Sequence, residues 1–140
     1  MAVEIDVTEE PTAEDAAVVR DGVEANHAEV TGREPARPLV VLARRDGAVV
    51  AGATGFTQLG WLFVSYLWVS GGLRGAGLGR SILGRAEAEA WERGCHAVWL
   101  DTFSFEAPGF YAGLGYQEFG RLDDFPPGHT RHFLWKPLDG

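Results

Sequence analysis

The stretch Leu73-Arg-Gly-Ala-Gly-Leu-Gly-Arg-Ser-Ile-Leu83 decides how this chain is read. Three glycines alternate with small or apolar residues, an arginine stands on either side, and an apolar rhythm resumes beyond them. Before it runs Trp61-Leu-Phe-Val-Ser-Tyr-Leu-Trp-Val69, aromatic and β-branched and long enough for a central strand. After it, Leu78, Ile82, Ala86 and Ala90 recur every four residues, with Leu83 and Trp91 widening the stripe, so a helix is expected from about Leu78 to Arg93. Gly94 is its natural C-cap. Glycines between a strand and a helix let an anion approach the free N–H groups of the helix N-terminus. Two common phosphate loops fail on spacing. The dinucleotide fingerprint needs a glycine where Arg80 stands, and the Walker pattern needs a lysine where Leu78 follows Gly77. Another phosphate cradle or a plain turn remains.

Outward from this centre, Leu39–Arg45 and Val49–Thr57 read as strands joined by Asp46-Gly47, a dipeptide that favours a tight hairpin. Val3–Thr8 alternates as a first short strand, and Thr12 has the look of an N-cap for a helix running to about Glu29, stopped by Gly32 and Pro35. Downstream come a strand over His96–Phe103, a short helix around Phe110 and Tyr111 ending at Gly115, and strands over Tyr116–Leu122 and His132–Pro137. The expected order is β-α-β-β-β-α-β-α-β-β. The crossover helix demands a parallel strand pair and the hairpins antiparallel ones, so an α/β fold on a mixed sheet is expected.

The 140 residues suit a single domain over 1–140, with 46% hydrophobic and 23% charged residues. A net charge of -8 without any Lys/Arg run argues against nucleic acid. The acidic start lacks an apolar signal core, and Trp61–Val69 is far too short for a bilayer, so a cytoplasmic protein with no membrane partner is expected. Cys95 is the single cysteine, which excludes an internal disulfide or a CxxC site, and just after the Gly94 cap it reads as structural.

Val69-Ser-Gly-Gly-Leu-Arg74-Gly-Ala-Gly77-Leu-Gly79 resembles the acyl-CoA segment of the GCN5-related N-acetyltransferases (GNAT), Arg/Gln-x-x-Gly-x-Gly/Ala after a strand ending in valine. Ala107-Pro-Gly-Phe-Tyr111-Ala-Gly-Leu-Gly115-Tyr116 is similar to the second recurrent segment of that family, and the element order matches nearly end to end. The resemblance implies acetyl-CoA as co-substrate, no metal, and an amine-bearing acceptor. It places the pyrophosphate on the backbone of Arg74, Gly75, Ala76, Gly77, Leu78, Gly79 and Arg80, and the pantetheine arm and thioester along Leu67 and Val69, where the central parallel pair splays. An N–H aimed at the thioester oxygen would stabilise the charge that develops there.

Forming an amide from an ammonium and a thioester needs one proton removed and one supplied. Tyr111 matches the family tyrosine that serves as the thiol's acid. The strand glutamate of many members is missing, since Trp61–Val69 contains no carboxylate and only the hydroxyls of Ser65 and Tyr66. Asp101 and Glu106 are the first candidates for the base, ahead of Asp123, Asp124 and His129, and Ser104 stands where the family often has an asparagine on the CoA arm. Exposed aromatics leave a homodimer possible. Two rival readings compete. One is a GNAT fold that binds acyl-CoA without turnover. The other is a vicinal-oxygen-chelate metal enzyme or drug-binding protein, which would need a repeated module and paired ligands that His27, His96, His129 and His132 do not supply.

Overall fold

Trp61–Val69 forms the strand expected of it, and the sheet is built around it. The computed structural model describes residues 2–32 and 34–139. The chain divides into two units, Met1–Pro35 and Ala36–Gly140. The first holds one helix, α1 (Ala13–Thr31). Thr12 caps it by accepting the Asp15 N–H at 3.1 Å, and Gly32 ends it in the left-handed region, its N–H returning to the Ala28 carbonyl. The expected strand Val3–Thr8 does not form. Alternation sets the two faces of a strand but supplies no ladder partner, and Val3, Ile5 and Val7 stay 85–99% exposed.

In the second unit the elements run β1 (Arg37–Arg45), β2 (Ala48–Gln58), β3 (Trp61–Val69), α2 (Leu78–Glu92), β4 (Ala97–Phe103), α3 (Pro108–Ala112), β5 (Gln117–Asp123) and β6 (Thr130–Pro137). They form one mixed sheet of order β1-β2-β3-β4-β6-β5, in which β3 and β4 are parallel and every other pair is antiparallel. Both early hairpins close on two residues of positive φ, Asp46-Gly47 and Leu59-Gly60, the backbone that matches strand twist. The first is legible from its residue types; the second hides behind a leucine.

One sheet face is covered by α2. Its Ile82, Leu83, Ala86 and Ala90 are buried against Leu39, Ala51, Ala53, Leu62, Val64, Val98 and Leu100. The two alanines let the helix axis approach the strands closely, while Trp91 lies outside the stripe and is 43% exposed. Arg93, the C-cap of α2, ties the helix end to the sheet. Its Nη1 donates to the Pro38 and Arg37 carbonyls and to the buried Thr57 hydroxyl, and its Nε meets Glu89 at 2.9 Å. The other face is aromatic. Trp61, Phe63, Trp99 and Trp135 form ring contacts across β3, β4 and β6.

Candidate functional site

The parallel pair is short. β3 and β4 pair only from Trp61 with Ala97 to Val64 with Leu100, yet β3 runs on to Val69 and β4 to Phe103. Beyond Leu100 the two strands no longer pair. An extra residue in β3 sharpens the break: Thr54 faces Tyr66 and Gly55 faces Val64, so Ser65 is a bulge. The Ser70 N–H donates to Val50. Antiparallel alternation then turns Trp68 and Tyr66 toward β2 and leaves the N–H and C=O groups of Leu67 and Val69 facing the gap.

The glycine loop meets that gap from the α2 side. Gly75 and Gly77 hold φ of +84° and +81°, the left-handed backbone that glycine adopts at least cost. Gly77 is the N-cap of α2. Unlike Thr12 it offers no capping side chain, and the first turn carries no acid, so the leading N–H groups of α2 are left for an anion. Arg74 is exposed, and one edge of its side chain is tied back to the strand. Its Nε donates to the Val69 carbonyl at 3.1 Å, clamping the loop to the end of β3 and leaving Leu67 N–H, Leu67 C=O and Val69 N–H free in the gap. Arg80 is exposed.

Together these elements wall a groove of about 910 Å³. Leu67, Val69, Arg74, Gly75, Gly77, Leu78, Gly79, Arg80, Glu106 and Tyr111 all line it. Ala76, Asp101 and Ser104 do not. Ser104 instead accepts the Thr130 N–H through its Oγ and donates its own N–H to the Thr130 carbonyl, joining the end of β4 to β6. Thr102 and Phe110 were not expected from the sequence and also line the groove. Strand alternation past Leu100 was the available signal for Thr102; Phe110 packs under Gly79, where an added Cβ would come within 3.5 Å of its ring.

The Tyr111 phenol is pushed up to about 12, by burial first and then by the charges of Glu106 and Asp101. It is therefore a neutral O–H donor throughout the physiological range. Glu106 is fixed through one oxygen, which accepts the Phe103 N–H at 2.8 Å and the Thr102 hydroxyl at 3.3 Å. The Tyr111 ring is held edge-on by Phe110 and Tyr116. Tyr116 in turn donates to Glu87 of α2, whose other oxygen takes Lys136 of β6 at 2.7 Å. Burial and the neighbouring Glu87 raise the Tyr116 pKa, which keeps that hydroxyl a donor. Asp101 points to the opposite sheet face, where Oδ1 accepts from Arg131 Nε at 2.8 Å. Among the described residues no group of three His, Cys, Asp or Glu is placed to hold a metal ion, and no helix is long and apolar enough to cross a membrane.

A splayed parallel pair, an uncapped crossover helix and a partly buried tyrosine in one groove match a known protein family. The model of the acetyltransferase (GNAT) family matches residues 4–116. The chain belongs to that family. It is 45% identical over 108 residues to a blasticidin-S acetyltransferase of Streptomyces morookaense, covering 74% of this chain and 79% of that protein. An acetyltransferase of Agrobacterium fabrum is 33% identical over 125 residues, 89% of this chain and 91% of its own length. The crystal structure of an acetyltransferase from Bacillus cereus superposes with a TM-score of 0.83 at 32% identity, over 95% of this chain and 98% of the other. The chain is an acetyl-CoA-dependent N-acetyltransferase.

Proposed function

We propose that the chain moves an acetyl group from acetyl-CoA directly to a primary amine, both substrates being bound together. The observation that carries this reading is the shared groove: the free backbone of Leu67 and Val69, the uncapped N-terminus of α2 and the Tyr111 hydroxyl open into one space. Acetyl-CoA supplies the activated acyl group. The N–H groups of Leu78, Gly79 and Arg80 hold its phosphates at the positive end of the α2 dipole. The Leu67 N–H, fixed in the gap before any substrate arrives, faces the oxygen on which charge develops. Glu106 is the carboxylate that lines the groove, and it takes up the proton lost by the acceptor ammonium.

Tyr111 serves the departing sulfur by hydrogen bonding. A phenol near 12 facing an ordinary thiol near ~8.5 would lose its proton uphill by about 5 kcal/mol, so a donated hydrogen bond outweighs full transfer. The likeness to the blasticidin-S enzyme supports a small-molecule amine as acceptor. The test is thiol release from acetyl-CoA across a panel of small amines, blasticidin S and amino-terminal peptides, with thermal stabilisation by CoA read in parallel. Release with at least one small amine is expected. Stabilisation by CoA with no release across the panel would instead favour a silent acyl-CoA-binding domain.

A further inference from the structure

The face of β4 and β6 away from α2 carries a side-chain cluster whose chemistry is specific. Counting on from the Val64–Leu100 pair across the bulged Ser65, Leu67 comes level with Thr102. Leu100 and Thr102 are buried on the α2 side, so Asp101 and Phe103, which bracket Thr102 in sequence, face the other way. Arg131 lies opposite Phe103 on β6 and shares that face. Its guanidinium sits 4.9 Å from the Phe125 ring centroid, 5.3 Å from Phe103 and 5.4 Å from Phe133. Asp101 holds the Nε edge at 2.8 Å. The side chain is 29% exposed, and its two Nη groups donate to no described residue. A cation stacked on three rings and gripped at one edge presents its remaining fork in a fixed direction.

We propose that this fork binds a carboxylate on the acceptor, so that the preferred acceptor is an amine that also carries a carboxylate, an amino-acid-type molecule. The inference rests on the acetyl-transfer reading above and deepens it. An arginine fork pairs with a carboxylate through two parallel N–H···O bonds, whereas a lone ammonium in the acceptor would be repelled by it. Asp101 is then a positioning residue: it aims Arg131, and its charge alone offers no acid-free amine a better site, because Arg131 already neutralises it. The level of Leu67 sets the reach, since the acceptor's amine must enter the gap while its carboxylate stays on the aromatic face.

The experiment compares α- and ω-amino acids of graded length, each against its own carboxamide, by thiol release from acetyl-CoA. In the native enzyme the best free acid should exceed its carboxamide by about tenfold or more in kcat/KM. Arg131→Gln should erase that preference while KM for acetyl-CoA changes less than about twofold, and carboxamide turnover should persist as proof of an intact active site. Arg131→Lys, which keeps the charge but not the fork, should retain only part of the preference, and it decides the matter if the glutamine variant does not fold. Equal rates for acid and carboxamide in the native enzyme, or an undiminished preference in both variants, would overturn the inference and leave acetyl transfer standing. Release from no amine, with acetyl-CoA bound, would overturn both.

Discussion

Replacing Tyr111 by phenylalanine removes one hydroxyl and keeps the ring that Phe110 and Tyr116 hold edge-on, so the fold should be undisturbed. On the proposed mechanism, what is lost is a hydrogen bond to a sulfur that becomes anionic as the amide forms. Bonds to charged groups contribute about 1.5–3 kcal/mol, and each 1.36 kcal/mol is tenfold in rate, so kcat should fall by about 10- to 150-fold. KM for acetyl-CoA should hardly move, because the bond strengthens only as the thiolate develops. The measurement is initial rate of thiol release against acetyl-CoA concentration, with circular dichroism to confirm folding. A loss below about threefold would remove Tyr111 from the reaction. A loss beyond about 10³ would show complete proton transfer by the phenol, against the argument from acidity.

The same residue sets a pH expectation with a definite sign. The active form of Tyr111 is the neutral phenol, and its pKa is raised from 10.0 to about 12. The donor therefore persists where an ordinary tyrosine would already be ionised, and kcat should show no Tyr111-dependent fall below about pH 11. An alkaline limb near pH ~10 that is present in the native enzyme and absent from Tyr111→Phe would refute the assigned environment.

At Gly77, with φ of +81°, alanine should cost about 1–2 kcal/mol of stability, whereas Gly77→Asp should in addition weaken CoA binding by about tenfold or more, measured by calorimetric titration. Normal CoA affinity in the folded aspartate variant would contradict the phosphate cradle. Gly55→Ala should destabilise by about 3–5 kcal/mol in urea denaturation, because a Cβ there would sit 1.9 Å from the Phe63 carbonyl oxygen. Arg93→Ala should lose about 2–3 kcal/mol by the same measurement, since it unpairs two strand carbonyls and the buried Thr57 hydroxyl; a loss under about 0.5 kcal/mol would show that water replaces the clamp.

Long-period features were legible in the residues. The i, i+4 stripe of α2, the Asp46-Gly47 hairpin and the Trp61–Val69 strand announce themselves, because each depends on neighbours in the chain. The turn between Trp61–Val69 and α2 was legible in its glycines for the same reason. What sequence could not supply is everything decided across the sheet. Arg74 is an example: its charge is plain in the sequence, but the bond from its Nε to the Val69 carbonyl is not. Asp101 was read as a base on the strength of its place near the Tyr111 helix, yet strand parity sends it to the opposite face and into the grip of Arg131. Nothing local marks Arg131 itself, whose three rings come from β4, β6 and the loop between β5 and β6. The failed strand Val3–Thr8 errs in the other direction: its pattern is sound, and no ladder forms on it.

The bulge at Ser65 is the local event that turns the backbone of Leu67 and Val69 into the gap. The Leu59-Gly60 hairpin closes with Gln58 opposite Trp61, so β3 begins with its odd-numbered residues bonded to β2. Continued without a bulge, that phase would bond Leu67 and Val69 to β2 and turn their side chains to the aromatic face. One extra residue reverses both. Leu67 and Val69 now pack their side chains toward α2 and release their backbone into the gap, while Tyr66 and Trp68 move to the far face and are 76% and 51% exposed. Gly55, which faces Val64 at the bulge, permits this, since the Phe63 carbonyl occupies the space a side chain would need. The open backbone of Leu67 and Val69 beside the α2-side groove, and the far-face placement of Tyr66 and Trp68, are thus two consequences of one bulged serine and one missing Cβ.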